Sequence, residues 1–251
     1  MTELAYLPDL PSAYVRTFRA RVTALPPGAV VLDRTYFYPS GGGQPADHGT
    51  LTTSSGGSLE VVDVTKSGTS VLHRVRGAPA VVHALAAGAE LDGAIDWARR
   101  YRHMRLHTGQ HLASARIFAR TGLRTRKATL GGGAATMDLE GALPDRVVEA
   151  LAQDLADAAA HPRPVSIRTV PRVEWDANPF AGRSGLVALA PRVDPVRVVE
   201  IDAADVCPCG GTHLRSTGEI GAVRFLPPIP LPDGASRVVF NLVEAAASTP
   251  P

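Results

Sequence analysis

The stretch Ala98–Thr121, ARRYRHMRLHTGQHLASARIFART, contains no proline and has the spacing of an α-helix. Five of its side chains recur at helical intervals and would share one face: Met104, His107, His111, Ala115 and Phe118. Gly109 in the middle costs roughly 1 kcal/mol relative to alanine, which the pattern outweighs. The sequence therefore predicts one long helix here. A second helix is expected to begin at Pro144, with an apolar stripe after it.

The segments on either side of the long helix indicate β structure. Before the helix, runs rich in Val, Tyr, Phe, Leu and Thr alternate with Gly, Ser and Pro clusters, as in a small barrel or sandwich. After the second helix, strand-like runs return, including GLVALA at 185–190 and SRVVFNLV at 236–243. We predict an α+β chain with a small N-terminal β-barrel domain over residues 1–95. Residues 96–251 would form an α+β domain with helices packed on an antiparallel sheet.

The composition limits the class of protein. Of 251 residues, 45% are hydrophobic and 20% are charged, which is ordinary for a globular protein. The formal net charge of +2 is too small to indicate a nucleic-acid partner by itself. We see no signal peptide and no run of ~20 apolar residues, and two cysteines do not frame a secreted domain. We therefore expect a cytoplasmic protein with no membrane partner.

Two distant segments carry side chains that bind metals. HTGQH places His107 and His111 four residues apart, one turn apart on a helical face, and CGGTH repeats this spacing with Cys209 and His213. Three imidazoles and a thiolate suit zinc, so we predict one zinc site built from both segments. Whether zinc is catalytic or only joins the segments stays open. Cys207 is a spare thiol, a partner in zinc capture or a residue without a role; we favour the last.

These motifs resemble a known family. RHMRLHTGQHLASA followed by CGGTHLRSTGEIGAVRF is similar to the editing domain of alanyl-tRNA synthetase and to the free-standing AlaX-type trans-editing proteins. DRTYFYPSGGGQPADHG, at 33–49, resembles the glycine-rich motif in the N-terminal β domain of the medium-length AlaX form. The resemblance implies an ATP-independent aminoacyl-tRNA deacylase that clears tRNA(Ala) of serine chiefly, and of glycine secondarily. It places the editing domain at 96–251 and assigns the four zinc ligands above.

An editing site must recognise the serine hydroxyl, because an alanine pocket excludes serine poorly. The candidate polar contacts are Thr35, Gln44 and Thr212, with Thr35 the first choice for the serine hydroxyl. Gly42 and Gly43 would let the backbone approach the ligand closely. Thr35 is alternatively a plain strand residue. GGGQ is alternatively a hairpin turn, or a counterpart of the GGQ with which release factors cut peptidyl-tRNA esters.

Basic residues flank the predicted metal helix and are candidates for contacts with tRNA phosphates. They are Arg99, Arg100, Arg102 and Arg105 before the helix motif, and Arg124, Arg126 and Lys127 after it. A solvated charged surface is the alternative interpretation.

The mechanism and two rival functions stay open. Zinc lowers the pKa of bound water to about 7 or polarises a carbonyl, but four protein ligands close a tetrahedral shell. No carboxylate is indicated as a general base. The rival functions are a zinc-dependent hydrolase of small esters or amides, and a tRNA- or protein-binding module whose zinc is structural.

Overall fold

The computed structural model describes residues 1–179 and 193–243, which form two compact units. The first unit comprises Met1–Gly41 and Pro45–Tyr101, and the second comprises Gly42–Gln44 and the described residues from Arg102 onward. Within these ranges, no helix is both long enough and apolar enough to cross a membrane. The predicted strand at 185–190 lies outside the described residues.

The first unit is mainly β structure. In chain order it contains β1 (Glu3–Leu4), α1 (Leu10–Ala13), β2 (Thr17–Ala24), β3 (Ala29–Leu32), β4 (Arg34–Thr35), β5 (Gly49–Thr53), β6 (Ser58–Ser67), β7 (Ser70–Gly77), α2 (Pro79–Ala84), β8 (Glu90–Ile95) and the first turn of α3 (Trp97–Thr121). Six antiparallel strands close into a barrel in the order β2-β3-β7-β6-β5-β8. The pairing of β8 with β2 completes the ring.

Alternating side chains fill the inside of these strands. In β6, Leu59 and Val61 are fully buried, and a bulge between Val61 and Asp63 shifts the alternation so that Val64 is buried next. The period of two thus directs one face of the strand to a core that also contains Phe37. This core holds the first unit together.

The second unit combines helices with two antiparallel sheets. After α3 come β9 (Thr125–Gly131), β10 (Ala134–Leu139), α4 (Asp145–Ala160), β11 (Val165–Val170), α5 (Arg172–Asp176), β12 (Val196–Ile201), β13 (Asp205–Pro208), a 3-10 turn (Thr217–Glu219), β14 (Val223–Phe225), β15 (Ile229–Pro230) and β16 (Ser236–Leu242). One sheet has the order β14-β16-β10-β9, with β15 also paired to β16, and the other has the order β11-β12-β13. The predicted α+β class with antiparallel sheets is confirmed.

The two main helices follow their sequence patterns. Helix α3 begins one residue before the predicted stretch and ends with it at Thr121. A side chain at Gly109 would come within 3.1 Å of the Phe240 ring, so glycine lets α3 lie close to β16. Helix α4 begins at Asp145 with Pro144 at its N-cap. Its predicted apolar stripe is buried, from Val147 to Leu155.

Candidate metal centre

The four predicted ligands lie together in the second unit. His107 and His111 lie on adjacent turns of α3, while Cys209 and His213 lie in the loop after β13. Their ligand atoms are all within 4.8 Å of one another. Cys209 Sγ is 3.5 Å from His107 Nε2 and 3.3 Å from His213 Nε2. Around tetrahedral zinc, N and S ligands are expected to be about 3.3 to 3.6 Å apart, so the side chains fit one ion.

Each imidazole is oriented by a hydrogen bond on the side away from the thiol. The partners of Nδ1 are Gln44 Oε1 for His107 at 2.9 Å, Asp205 Oδ2 for His111 at 3.1 Å and Thr108 Oγ1 for His213 at 3.2 Å. A proton on Nδ1 leaves the lone pair on Nε2, which is the form that binds a metal. The acceptors Gln44 Oε1 and Asp205 Oδ2 thus hold protons of His107 and His111 on Nδ1 and leave Nε2 as the nitrogen that a metal ion would bind, and Thr108 orients the ring of His213.

Gln44 connects the glycine-rich motif to this centre. It is 1% exposed, and its Oε1 accepts hydrogen bonds from His107 Nδ1 at 2.9 Å and from Thr212 N–H at 3.1 Å. Its Nε2 donates to Thr212 Oγ1 at 2.9 Å. Gln44 and Thr212, both predicted to contact the substrate, are thus hydrogen-bonded to each other. Gln44 also supports the predicted metal ligand His107.

Two glycines permit the close backbone approaches that this arrangement needs. A Cβ at Gly211 would lie 2.2 Å from His107 Cε1, so only glycine fits beside that imidazole. Gly43 has a φ of +82°, and a Cβ there would lie 2.3 Å from Ala128 O. Gly42 also has a positive φ, of +55°, with open space around it. The glycine-rich motif therefore brings backbone next to β9.

The charges of the site favour a thiolate. Burial raises the pKa of the Cys209 thiol, but the electrostatic influence of the neighbouring imidazoles, with His107 the larger contributor, outweighs burial and holds that pKa well below its usual value. Burial opposes a charge on His111, yet hydrogen bonds to Asp205 and Cys209 raise its pKa to about 10. Burial lowers the pKa of His213 well below its usual value. A thiolate among imidazoles is a suitable ligand set for zinc.

Thr35 lies inside the first unit and is fully buried. Its Oγ1 accepts from Phe37 N–H at 3.1 Å and lies 2.8 Å from His73 Nε2. Because His73 Nδ1 is 3.0 Å from Val30 O, that nitrogen carries the proton and Thr35 donates to Nε2. These hydrogen bonds are those of a structural strand residue. A contact with a substrate hydroxyl would require one of them to be exchanged.

The expectation that Arg100 binds tRNA is wrong. Arg100 is fully buried in the first unit, where its guanidinium pairs with Asp47 and donates to the carbonyl oxygens of Ala13 and Tyr36. Asp47 also accepts from Tyr38 N–H at 2.6 Å. A charge paired in this way has no surface to offer a phosphate.

The other basic residues predicted to contact tRNA differ in their exposure and in their hydrogen-bond partners within the protein. Arg99 Nε donates to Ala46 O at 2.9 Å, and Arg105 Nε donates to Ile220 O at 2.8 Å. Arg126 pairs with Asp233. The exposed basic residues of the group are Arg102, Arg124, Arg126 and Lys127.

Sequence reasoning missed two supporting residues, Thr108 and Asp205, whereas the glycine pair that includes Gly211 had predicted a tight loop. Thr108 is the polar residue next to His107 in HTGQH, and Gly211 belongs to the glycine pair of CGGTH. Those positions were the signals that the sequence offered for them. Asp205 lies four residues before Cys209, and only the fold brings it to His111. Cys207 is buried with its Sγ within 4.8 Å of the ligand atoms of His111 and Asp205, and the two cysteines form no disulfide.

Comparison with protein families defines the class. Residues 13–99 match the family of class II (A) tRNA synthetases, and residues 196–238 match the second additional domain of threonyl and alanyl tRNA synthetases. The second match contains Cys209 and His213. These two segments are therefore similar to parts of tRNA synthetases.

Individual relatives narrow the assignment. The alanyl-tRNA editing protein AlaX-M of Methanosarcina barkeri is 34% identical over 97% of this chain and 100% of its own length. That of Methanosarcina acetivorans is 35% identical over 90% of this chain and 92% of its own length. The chain belongs to this family of alanyl-tRNA editing proteins, which confirms the predicted resemblance. The alanine–tRNA ligase of Pyrobaculum neutrophilum is 36% identical, but the chain spans 28% of its length.

Proposed function

We propose that the chain is a trans-editing hydrolase that removes wrongly attached amino acids from tRNA(Ala) in the cytoplasm. The substrates are Ser-tRNA(Ala) chiefly and Gly-tRNA(Ala) secondarily. Hydrolysis adds water across the aminoacyl ester and releases the free amino acid and the tRNA. The observation that carries this proposal is the convergence of four metal ligands within 4.8 Å, in a chain that aligns with the whole of a protein named for alanyl-tRNA editing.

The residues that would hold zinc are His107, His111, Cys209 and His213. When bound, zinc supplies Lewis acidity to a carbonyl or lowers the pKa of a water molecule. Gln44 keeps a proton of His107 on Nδ1, Asp205 does the same for His111, and the Thr108 hydroxyl orients the ring of His213. These supports fix the imidazoles before substrate arrives, so little reorganisation is needed during the reaction.

Substrate recognition is assigned to the remaining predicted residues. Gly42 and Gly43 directly precede Gln44 in the chain, and Thr212 is hydrogen-bonded to it. We propose that these three residues border the aminoacyl group. Thr35 stays the candidate for discrimination of the serine hydroxyl. The tRNA backbone would meet Arg99, Arg102, Arg105, Arg126 and Lys127. Residues 1–95 would act as an accessory β domain, and residues 96–251 would carry out the editing.

The test is deacylation of matched charged tRNAs. The purified chain is given Ser-, Gly- and Ala-tRNA(Ala), and serine should be released at least about 100-fold faster than alanine. His107→Ala should lose both zinc and deacylation. His161→Ala, an exposed histidine after α4, is the matched control and should keep both. Equal release of serine and alanine, or full activity in His107→Ala, contradicts the proposal.

One observation favours a second candidate, a tRNA-binding module with structural zinc. The centre offers four protein ligands, and such a set closes a tetrahedral shell as structural sites do. This candidate expects full zinc loading and retained tRNA binding without cleavage of any charged tRNA. A hydrolase of small molecules would instead cleave simple amino-acid esters and ignore the tRNA.

A further inference from the structure

His111 belongs to two groups of side chains that could bind a metal ion. The first group is the metal centre described above. The second consists of His111, Asp205 and Cys207, whose ligand atoms all lie within 4.8 Å of one another. An imidazole can serve both groups because its two ring nitrogens point in different directions. Nε2 is the nitrogen available to the metal centre, and Nδ1 is 3.1 Å from Asp205 Oδ2. A carboxylate and a second thiol therefore lie beside the outer nitrogen of a metal ligand.

The strand β13 explains why these side chains converge. Asp205 and Cys207 are two residues apart in an extended strand, so both point to the same face of it. Their register partners on β12 are Ile201 and Val199, and both partners are buried. Cys207 itself is only 7% exposed, and the side chain of Asp205 is 11% exposed. In such a shielded place a thiolate and a carboxylate attract a cation more strongly than they do in water.

The distances of the second group fit one ion after small side-chain rotations. Three atoms within 4.8 Å of one another leave a point that is no more than about 2.8 Å from each of them. Zinc lies about 2.0 to 2.3 Å from its N, O and S ligands, so each atom must move by less than about 1 Å. A cavity of about 390 Å³ that is lined by Asp205, Val206 and Ala115 gives an ion and a water ligand access to the carboxylate.

The chemistry of the ligands selects a divalent ion that binds sulfur. Mg²⁺ and Ca²⁺ prefer oxygen ligands alone, whereas zinc accepts a thiolate, an imidazole and a carboxylate together. The Cys209 thiolate supplies one negative charge to the first ion. The Cys207 thiolate, the Asp205 carboxylate and a His111 ring that has lost its Nδ1 proton supply three more. Two divalent ions are then balanced by four negative ligands, so no net charge is buried.

We propose that His111, Asp205 and Cys207 bind a second zinc ion beside the metal centre, with the His111 ring bridging the two ions. New bonds join this ion to His111 Nδ1, a carboxylate oxygen of Asp205 and Cys207 Sγ. The Nδ1–H and S–H bonds break, and both protons pass to solvent. The hydrogen bonds from Nδ1 to Asp205 and from the Cys207 thiol to Pro208 O, the latter at 3.6 Å, are given up. This cost and the smaller ligand set make the second ion the weaker one, so it binds only when zinc exceeds one equivalent.

The experiment is a calorimetric titration of the full chain, already loaded with one zinc ion, with further zinc chloride. The wild-type chain should bind one more ion and release two protons, which are counted from the heats in buffers of different ionisation enthalpy. Cys207→Ser and Cys207→Ala should each weaken this second binding at least tenfold and keep the first ion. Asp202→Asn removes an exposed carboxylate from the turn before β13, so it is the matched control and should bind the second ion like the wild type.

Cadmium-113 NMR tests the shared imidazole. In a chain loaded with one cadmium ion, a second equivalent should add a second resonance and shift the first, because both ions would bind His111. The second resonance should be absent in Cys207→Ser.

Three results overturn the inference: a wild-type chain that takes up no second ion, a second ion that both Cys207 variants bind as tightly as the wild type, and a first resonance that does not move. Deacylation of Ser-tRNA(Ala) by the same preparation separates this inference from the proposed function. Active chain that holds one ion only removes the second site and leaves the editing function. Inactive chain that binds a second ion through Cys207 does the reverse.

Discussion

Gln44 was predicted to contact the substrate, and the structure gives its side chain hydrogen bonds within the metal centre. The motif suggested a polar contact with substrate, yet both ends of the amide are occupied inside the protein. The amide oxygen accepts hydrogen bonds from His107 Nδ1 and from Thr212 N–H, and the amide nitrogen donates to Thr212 Oγ1. The side chain thus determines which nitrogen of His107 carries its proton.

Gln44→Met tests this supporting role because methionine has a similar length and no hydrogen-bonding amide. We expect zinc affinity to fall 10- to 100-fold, as for other residues that orient a metal ligand. Competition with a chromogenic chelator measures that affinity. Gln153→Met, on the exposed face of α4, is the matched control and should change nothing. A raised KM with unchanged zinc affinity would instead assign Gln44 to the substrate.

The two cysteines provide a second matched pair. Cys209→Ser replaces a thiolate ligand with a poor one, so zinc content and deacylation should both fall at least tenfold. Cys207→Ser should keep both, since the ligand set is complete without it. Zinc content is measured by atomic emission on the purified variants. Loss of zinc in Cys207→Ser would show that Cys207 takes part in zinc capture.

Thr35→Val separates the structural role of Thr35 from its proposed role in selectivity. Valine leaves the Phe37 N–H and His73 Nε2 without their partner, which should cost about 2 kcal/mol in the free energy of unfolding. Thr35→Ser keeps the hydroxyl and should retain most stability. Urea unfolding measures the loss, and the ratio of serine to alanine release measures selectivity. A selectivity that stays unchanged in Thr35→Val removes Thr35 from substrate recognition.

The metal ligands could be predicted from the sequence because their spacing is short and their chemistry is specific. Their supports could not be predicted in the same way. Asp205 reaches His111 only through the turn between β12 and β13, and Gln44 reaches His107 across 63 residues. Arg100 stood in an arginine-rich run typical of a surface, and its burial depends on Asp47, 53 residues earlier.

Among the elements, α3 and the loop after β13 together form the metal centre. Helix α3 was predictable almost to the residue because its apolar period persists for many turns. The strand β13 was not predicted, since four residues that end in proline carry little pattern. The loop that follows is anchored to β12, where Cys209 N–H donates to Arg197 O at 3.2 Å. That anchor positions the thiol opposite the helix.

The glycine pair of this loop gives a test at the level of the element. A Cβ at Gly211 would overlap the His107 ring, whereas a Cβ at Gly210 would meet nothing within 4 Å. Gly211→Ala should therefore displace the loop and abolish most zinc binding, while Gly210→Ala should be silent. Zinc content and thermal unfolding of the two variants are compared directly. Equal zinc content in both variants would contradict this packing.

For the whole molecule, the sequence indicated the α+β class but not the course of the chain between its two units. Gly42–Gln44 belong to the second unit, although the residues on both sides of them belong to the first. No local pattern distinguishes these three residues from a hairpin turn. Their assignment depends on contacts distant in sequence, such as the hydrogen bond from Leu130 N–H to Gly43 O at 2.7 Å.

The pH dependence of folding is expected to contain a clear contribution from His73. Burial lowers the pKa of His73 to about 4, against 6.5 for an ordinary histidine, although its hydrogen bond to Val30 opposes this shift. Between these two pH values the unfolded chain binds the proton and the folded chain does not. The contribution is therefore fully present above pH 6.5 and is lost as the pH falls towards 4, by about 3 kcal/mol in total.

Urea unfolding of the wild-type chain, His73→Asn and His83→Asn from pH 7 to pH 4.5 measures this contribution. His73→Asn is less stable at pH 7 because it disturbs the hydrogen bonds to Thr35 and Val30, but its stability should fall less steeply on acidification. Every other side chain is the same in the wild type and His73→Asn, so the contribution of the remaining groups cancels in that comparison. His83 is exposed, and His83→Asn should follow the wild type. Parallel pH curves for His73→Asn and the wild type would show that burial of a neutral His73 does not control acid stability.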